Sequence, residues 1–290
     1  MKLQYTAAYS AKLLTLLRRE LRLSSGLISR LKWKGAFFVN GVCVHTDYPV
    51  KPGDEVCVIL DEQTEGYPPE PMALSIVYED ESCIILDKPA GMLVHPSSNR
   101  NTGTLANGLA CYYEQSGQKC GVHPVTRLDR DTFGLVLAAK NAHIHALFCA
   151  LLRERKIEKT YYASVFGCPA QSGGRITLPI ARCGGGSLLR TVEDGGQSAV
   201  TDYRVLDCHS RTALLELHPL TGRTHQLRLH CLASGFPILG DPQYCSPPSE
   251  VFSRAEGIFP QQLCAAVLRF SHPLTGRPVL AESSQKVRFP

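Results

Sequence analysis

The chain has 290 residues, of which 44% are hydrophobic and 20% charged, and its formal net charge is +5. This length is enough for one large domain or two smaller ones, and the composition is typical of a globular protein. No run of about 18 apolar residues occurs, and Met1–Thr6 lacks the apolar core of a signal peptide, so we expect a cytoplasmic protein without a membrane-spanning helix.

The first 60 residues carry an excess of positive charge. They contain nine Lys or Arg and four Asp or Glu, and the difference of five equals the net charge of the whole chain. Leucines at helical spacing over Leu13–Leu21 predict one helix, Ser24-Ser25 predicts the cap of a second, and Asn40-Gly41 predicts a β-hairpin. This pattern favours a polyanion-binding module, although a solvated basic helix face would look the same. The candidate contacts are Arg18, Arg19, Arg30, Lys32 and Lys34.

Residues 61–73 are acidic and rich in proline, which predicts an interdomain linker. The rest of the chain, 74–290, contains many apolar runs and few helical patterns. One helix is predicted over Asn141–Arg153 and another after a cap at Thr224, whereas strands are predicted at 74–78, 83–87, 161–166 and 213–217. Clustered strands with few crossover helices predict an α+β domain with a mixed, mostly antiparallel sheet rather than a Rossmann fold.

The cysteine count is high, but the spacing points to no cysteine chemistry. Twelve cysteines are scattered along the chain, and no C-x-x-C pair is present, which argues against a zinc ribbon or a thioredoxin-like motif. A disulfide framework is not expected in a cytoplasmic protein. We therefore expect most cysteines to be reduced and partly buried, and we expect no metal site.

The segment Arg127-Leu128-Asp129 places a carboxylate beside a cation just before the apolar run 135–139. A carboxylate held at the mouth of a buried strand by a basic neighbour is a typical way to build a reactive acid. A surface Arg–Asp pair that caps a loop would give the same three residues. Asp131 lies two residues further on, where a structural role is the simpler interpretation.

The Asp129 segment belongs to a larger set of motifs. The other members are 159–163 (KTYYA), 218–230 (HPLTGRTHQLRLH) and, just downstream, 235–241 (GFPILGD). Together they resemble the signature of RluA-type pseudouridine synthases. Residues 87–96 are similar to that family's entry to the catalytic domain, and 269–273 to its closing strand. The first 60 residues resemble an S4-type RNA-binding domain, here a small module of helices and a β-hairpin. The resemblance covers nearly the whole chain.

The resemblance implies an isomerase that converts specific uridines in structured RNA to pseudouridine, with large-subunit ribosomal RNA the first candidate and tRNA the second. Breaking an N-glycosidic bond and forming a C–C bond requires a carboxylate that acts as nucleophile or base, as in retaining glycosidases, and requires no metal or cofactor. Asp129 is the candidate. The resemblance places Arg228 against it, where a cation favours the ionised carboxylate, and makes Tyr161 the residue that stacks on the target base.

The remaining candidates are expected to line the pocket for the flipped nucleotide: Arg127, Arg223, His225 and Leu229. Helix-capping or core roles would explain Arg223 and His225 equally well, and an exposed helix arginine is the plain alternative for Arg228. Tyr162 should face the opposite side of its strand and pack in the core. A target base must leave its helix to reach such a pocket.

The sequence departs from the family pattern at two places, with Thr126 in place of His before the motif arginine and Phe133 in place of Ser before Gly134. Both bear on substrate choice more than on chemistry. A non-catalytic RNA-binding or ribosome-assembly protein on the same scaffold is the first alternative. A glycosyl-transfer enzyme acting on a small nucleoside is the second, and the basic N-terminal module argues against it. A monomer is expected.

Overall fold

The computed structural model describes residues 1–60, 66–97, 101–184 and 189–290. Among them, no helix has both the length and the apolar character needed to cross a bilayer. The first 60 residues form the elements β1 (Lys2–Thr6), β2 (Ala11–Lys12), α1 (Leu13–Arg19), α2 (Ser25–Lys32), β3 (Phe37–Val39), β4 (Val42–Cys43), β5 (Pro49–Val50) and β6 (Glu55–Ile59).

The N-terminal elements enclose a core of their own. An antiparallel four-stranded sheet has the order β1-β6-β3-β4, and the buried leucines of α1 and α2 pack against it. Asn40 and Gly41 turn the chain between β3 and β4, both with positive φ, as the Asn-Gly signal predicts. Ser24 caps α2 by accepting a hydrogen bond from the Leu27 amide. The strand β1 was not predicted, because Lys2–Thr6 has only one buried residue, Leu3.

The remaining elements are β7 (Ile76–Glu79), β8 (Cys83–Lys88), α3 (Leu105–Gln115), β9 (His123–Pro124), β10 (Phe133–Ala139), α4 (Ala142–Arg153), β11 (Ile157–Phe166), β12 (Gly173–Thr177), β13 (Ile180–Arg182), β14 (Arg190–Val192), β15 (Val200–His209), β16 (Thr212–Pro219), α5 (Gln226–Ala233), α6 (Pro247–Ala255), β17 (Leu263–Ser271) and β18 (Pro278–Glu282). Ten of these strands form one mixed sheet, in which β12-β15-β16-β11-β17-β10-β8-β7 follow one another, β18 adds to β17 and β9 adds to β10. The α+β prediction with a mostly antiparallel sheet is confirmed.

The centre of this sheet is the pair β10 and β17, which run parallel to each other. Every residue of β10 is buried. At Gly134, with φ of +105°, a Cβ atom would lie 2.3 Å from the carbonyl oxygen of Ala265 in β17. Only glycine fits this close approach, which holds the first residues of β10, where the preceding loop ends, against β17.

One local expectation differs from the structure, and the described part of the predicted linker has packing contacts. Within residues 66–73, Tyr67 packs against the core beneath α3, and Met72 lies over Gly108 of that helix. The first part of the predicted linker, 61–65, lies outside the described residues. Helix α5 begins at Gln226 with His225 rather than Thr224 at its N-cap position, because His225 adopts a left-handed backbone with φ of +58°.

Ten of the twelve cysteines are free, as expected for most of them, whereas Cys168 and Cys208 are joined by a disulfide. These two residues lie at the ends of β11 and β15, which both pair with β16 near its first residue, Thr212. The sheet topology, not the local sequence, brings them together.

Candidate active site

Asp129 lies in the loop between β9 and β10, and its side chain is 30% exposed. Leu128 beside it is buried and anchors the loop in the core under α3. Thr126, one of the two departures from the family pattern, bonds to Leu137 of β10 twice: its hydroxyl accepts from the Leu137 amide at 2.9 Å, and its own amide donates to the Leu137 carbonyl at 3.2 Å. Thr126 therefore fixes the start of the Asp129 loop on the central strand.

Lys88 supports the same loop from the end of β8. Its side chain is fully buried, and Nζ donates to the carbonyl oxygens of Pro89, Met92 and Arg130 at 2.8, 2.8 and 3.0 Å. Burial lowers the pKa of Lys88 to about 8, and the nearby carboxylates of Asp131 and Asp129 oppose the shift. The bond to Arg130 ties the residue after Asp129 to a rigid strand end.

Arg228 of α5 contacts Asp129 as the sequence predicts. Its Nη1 donates to Asp129 Oδ2 at 3.2 Å, and its side chain is only 5% exposed. The alternative interpretation of Arg228 as an exposed helix arginine is therefore excluded. Oδ1 of Asp129 accepts no hydrogen bond from a described residue, so this oxygen is the one open to a reacting atom.

The opposite edge of the Arg228 guanidinium is held by Asp241, whose side chain is completely buried. Nε and Nη2 donate to the two carboxylate oxygens of Asp241 at 2.6 and 2.8 Å, and Nη2 also donates to Gln243 Oε1 at 3.0 Å. The ring of Tyr244 lies against the guanidinium carbon at 4.7 Å. Burial opposes the charge of Arg228, but the bonds to Asp241 outweigh it and raise the pKa.

The arrangement of these contacts decides what Arg228 can do. A bidentate carboxylate pair fixes both the position and the plane of a guanidinium. Because Asp241 occupies two of its nitrogens, Arg228 presents Nη1 to Asp129 in one orientation. The result is a preorganised cation beside a partly exposed carboxylate, an arrangement in which the carboxylate can serve as a nucleophile or a base.

His225 lies on the other side of the same carboxylate. Its Nε2 is 3.9 Å from Asp129 Oδ1, and its Nδ1 is 2.7 Å from the hydroxyl of Tyr244, which accepts from the Arg190 amide. Burial lowers the pKa of His225, Arg228 and Arg190 lower it further, and Asp129 opposes them. The imidazole is therefore neutral at neutral pH and leaves Asp129 without a second strong ion pair.

Tyr161 lies on β11 where a bulge interrupts the pairing with β17. It is partly buried between the core under α3 and the core under α5. Burial, with the charge of Asp129, raises the pKa of Tyr161 well above its usual range, so the phenol is neutral. Tyr162 packs on the opposite side against Phe133 and Cys264, which confirms its predicted core role.

The other predicted pocket residues are spread more widely. Arg127 is exposed and lies near His95: burial lowers the pKa of that imidazole, and the charge of Arg127 lowers it further. Arg223 is exposed, and its Nε donates to the Ser198 carbonyl at 3.1 Å. Leu229 is 5% exposed and packs beside Tyr244 in a small apolar cluster, which indicates a packing role rather than direct contact with a substrate.

Three residues of the site were not singled out from the sequence: Lys88, Asp241 and Tyr244. Asp241 had a usable signal, since an acid that follows the apolar run 236–239 is expected to be buried and paired with a cation. Tyr244 and Lys88 gave no such signal, because a tyrosine near a proline and a lysine before a turn are common at protein surfaces.

One group of side chains among the described residues could hold a metal ion: Asp80, Cys83 and His272, whose ligand atoms lie within 4.8 Å of one another. His272 Nδ1 accepts from the Leu274 and Thr275 amides, so Nε2 carries the ring proton and lies 3.2 Å from Asp80 Oδ2. Burial raises the pKa of the Cys83 thiol well above its usual range. These contacts describe a buried His–Asp pair beside a protonated thiol, at the end of β8 opposite Lys88.

The sequence model of the RNA pseudouridylate synthase family matches residues 82–233, which are 152 of the 290 residues. An uncharacterised RNA pseudouridine synthase of Bacillus subtilis, YlyB, is 38% identical over 253 residues, covering 86% of this chain and 82% of the relative. Ribosomal large subunit pseudouridine synthase D of Pseudomonas aeruginosa is 36% identical over 254 residues, covering 83% and 78%.

The fold has the same relatives. The structure of human RNA pseudouridylate synthase domain containing 1 matches with a TM-score of 0.59 and 27% identity, over 74% of this chain and 86% of that one. The chain therefore belongs to the RluA-type RNA pseudouridine synthases, the isomerases that convert uridine to pseudouridine in RNA.

Proposed function

We propose that this enzyme acts on uridines of large-subunit ribosomal RNA, with Asp129 as the catalytic carboxylate. The contact that supports the assignment is Arg228 Nη1 to Asp129 Oδ2, held in place by the buried Asp241. A non-catalytic RNA-binding protein would have no use for this arrangement. The names of several relatives, which are large-subunit synthases, support the choice of RNA.

The isomerisation breaks the bond from C1′ to N1, turns the uracil, and joins C1′ to C5. The C5 proton leaves and N1 gains one, so no atom is added or lost. Asp129 Oδ1 meets the flipped nucleotide and serves as the nucleophile or the base, while Arg228 balances the charge on Oδ2. Tyr161, as a neutral phenol, supports the uracil ring by stacking. Arg127 and Arg223, both exposed, contact the phosphates on either side.

The choice of RNA can be tested by incubating the purified protein with unmodified transcripts of large-subunit ribosomal RNA and of tRNA. Pseudouridine has the mass of uridine, so carbodiimide adducts read by primer extension provide the measurement. We expect reverse-transcription stops at defined positions of the ribosomal transcript, absent from reactions without enzyme. Stops confined to tRNA would refute the choice of ribosomal RNA and leave the enzyme class intact.

We also propose that residues 1–60 are an S4-like RNA-binding domain, joined by residues 61–73 to a catalytic domain that spans 74–290, and that the protein works as a cytoplasmic monomer. The predicted contact residues Arg18, Arg19, Arg30, Lys32 and Lys34 are all exposed, and none forms an ion pair with a described residue. Free exposed cations on one small module suit the binding of RNA phosphates.

Replacing Arg30, Lys32 and Lys34 together by Gln is expected to weaken RNA binding and its dependence on salt. The logarithm of the association constant for RNA falls linearly with the logarithm of the salt concentration. Each lost phosphate contact reduces the magnitude of this slope by about 0.7 to 0.9, so the triple variant should reduce it by up to about 2 to 3. Filter binding at several salt concentrations measures this slope. Replacing Arg175 and Arg254, exposed but paired with Asp202 and Glu250, by Gln is the matched control. An equal loss in the control would contradict the placement.

A further inference from the structure

Trp33 is the only tryptophan in the chain, and its side chain is 86% exposed, more than any other large hydrophobic side chain among the described residues. A tryptophan buries 150–250 Å² when it packs, and this residue type dominates binding energies where it meets a partner. The position of Trp33, directly after the last residue of α2, leaves that area in water.

The backbone around Trp33 is fixed, so the indole is presented rather than left on a loose segment. The Lys34 amide donates to the Leu31 carbonyl at 3.0 Å, and Gly35 turns the chain with φ of +58°. Leu31 and Ala36, on either side of the turn, are both buried in the core of the N-terminal module. A rigid support lowers the entropic cost of binding through the side chain.

Positive charge surrounds this aromatic ring in the sequence. Lys32 and Lys34 are its chain neighbours and Arg30 lies three residues before it; all three are exposed, and none forms an ion pair with a described residue. An aromatic ring beside uncompensated cations is the combination that binds single-stranded nucleic acid, because bases stack on the ring while phosphates meet the cations.

Two other partners fit the surface less well. A protein interface needs an apolar centre of several side chains, and a membrane-surface helix needs a continuous apolar face. The apolar residues Ile28 and Leu31 of α2 are already buried in the module's own core. Helix α2 therefore offers Trp33 no continuous apolar face, whereas exposed cations are its neighbours in the sequence.

We propose that the end of α2 is a binding site for unpaired RNA, in which one nucleobase stacks on Trp33 while Arg30, Lys32 and Lys34 contact the adjacent phosphates. The inference rests on the proposed RNA-binding role of residues 1–60 and adds a single-stranded segment to what they recognise. This site is distinct from the pocket at Asp129, which is carried by the second part of the chain. An RNA substrate would thus be held at a flexible segment as well as at its target uridine.

The single tryptophan makes the site directly observable, since emission excited at 295 nm comes from residue 33 alone. The probes are a single-stranded decamer of adenosines, a blunt G·C duplex of ten base pairs, and heparin as a polyanion without bases. None contains uridine, so no isomerisation takes place. We expect the decamer to quench most of the emission and the duplex and heparin to quench little at equal occupancy, because only the decamer offers an unpaired base to the ring.

Variants separate stacking from charge. Trp33→Ala is expected to lower affinity for the decamer about 5- to 100-fold, the fold-change for the loss of one stacked base, with affinity for heparin unchanged. Trp33→Phe should restore part of the loss. Val42→Ala removes apolar surface from another exposed position of the same module and should leave both affinities unchanged.

The proposal is overturned if heparin quenches as strongly as the decamer, or if Trp33→Ala binds the decamer as well as the wild type does. It is also overturned if vesicles of phosphatidylserine and phosphatidylcholine shift the Trp33 emission to the blue while the decamer does not, since the site would then bind a membrane. None of these results depends on pseudouridine formation. If the Trp33 proposal fails, the assignment of Asp129 is unaffected. If the assignment of Asp129 fails, the test of Trp33 remains valid.

Discussion

Replacing Asp129 by Asn is expected to lower the rate of pseudouridine formation by at least about 1,000-fold, the scale seen when a nucleophile is removed from an enzyme. Asparagine keeps the shape of the side chain and can still accept from Arg228 Nη1, so folding and RNA binding should survive. The amide lacks the negative charge that attacks carbon or takes a proton. Single-turnover reactions on ribosomal RNA, read by carbodiimide adducts, measure the rate.

The chain provides a matched control two residues away. Asp131 carries the same group in the same loop, but it pairs with exposed Arg130 through two hydrogen bonds, at 3.0 and 2.8 Å. Asp131→Asn should retain a rate close to that of the wild type. Near-wild-type activity of Asp129→Asn, or equal inactivity of both variants, would remove Asp129 from the mechanism.

Replacing Asp241 by Asn is expected to have the second largest effect, a loss of about 100-fold in kcat with little change in RNA affinity. Removing one partner of a buried ion pair costs about 3–5 kcal/mol because the other charge stays buried and unpaired. Part of that cost falls on stability, and part on the orientation of Arg228 toward Asp129. Because its side chain is completely buried, we expect Asp241 to position Arg228 rather than to touch the substrate.

Measuring kcat and RNA affinity separately shows whether Asp241 acts by positioning Arg228. Asp241→Glu keeps the charge and should recover part of kcat, whereas Arg228→Lys, whose ammonium cannot form the bidentate pair, should lose as much as Asp241→Asn. Because both single variants break the same unit, the double variant should be hardly slower than either. If Asp241→Asn lowers the melting temperature but leaves kcat unchanged, Asp241 contributes to stability alone and the positioning role is refuted.

Parts of the fold were predictable where the signal is local. Helix α4 begins after Asn141, whose side chain accepts from the Ile144 amide, and it ends at Arg153 as predicted. Strand β10 is an unbroken apolar run and was placed to within two residues. Helix α3 was missed, because nearly every position of Leu105–Gln115 is buried and the sequence therefore has no polar face to reveal a helical period.

The resemblance to the family supplied Asp129, Tyr161 and Arg228, and the structure brings Asp129 and Arg228 into direct contact although they are 99 residues apart in sequence. It did not separate lining residues from supporting ones. Leu229 is next to Arg228 in sequence, but its side chain is buried in the small apolar cluster that includes Tyr244. Adjacent helix positions lie about 100° apart, and only the packing of α5 decides which of them meets the pocket.

By itself, the sequence determined the order of the motifs and the class of chemistry, and it made Asp129 the candidate for the catalytic carboxylate, because catalysis requires particular residue types at particular spacings. Tertiary structure alone decided the electrostatics. Asp129, Asp131 and Asp241 have the same side chain, yet Asp129 is partly exposed beside Arg228, Asp131 pairs with an exposed arginine, and Asp241 is completely buried against Arg228. Burial and the distance to a cation set the behaviour of a carboxylate, and both quantities exist only once the chain has folded.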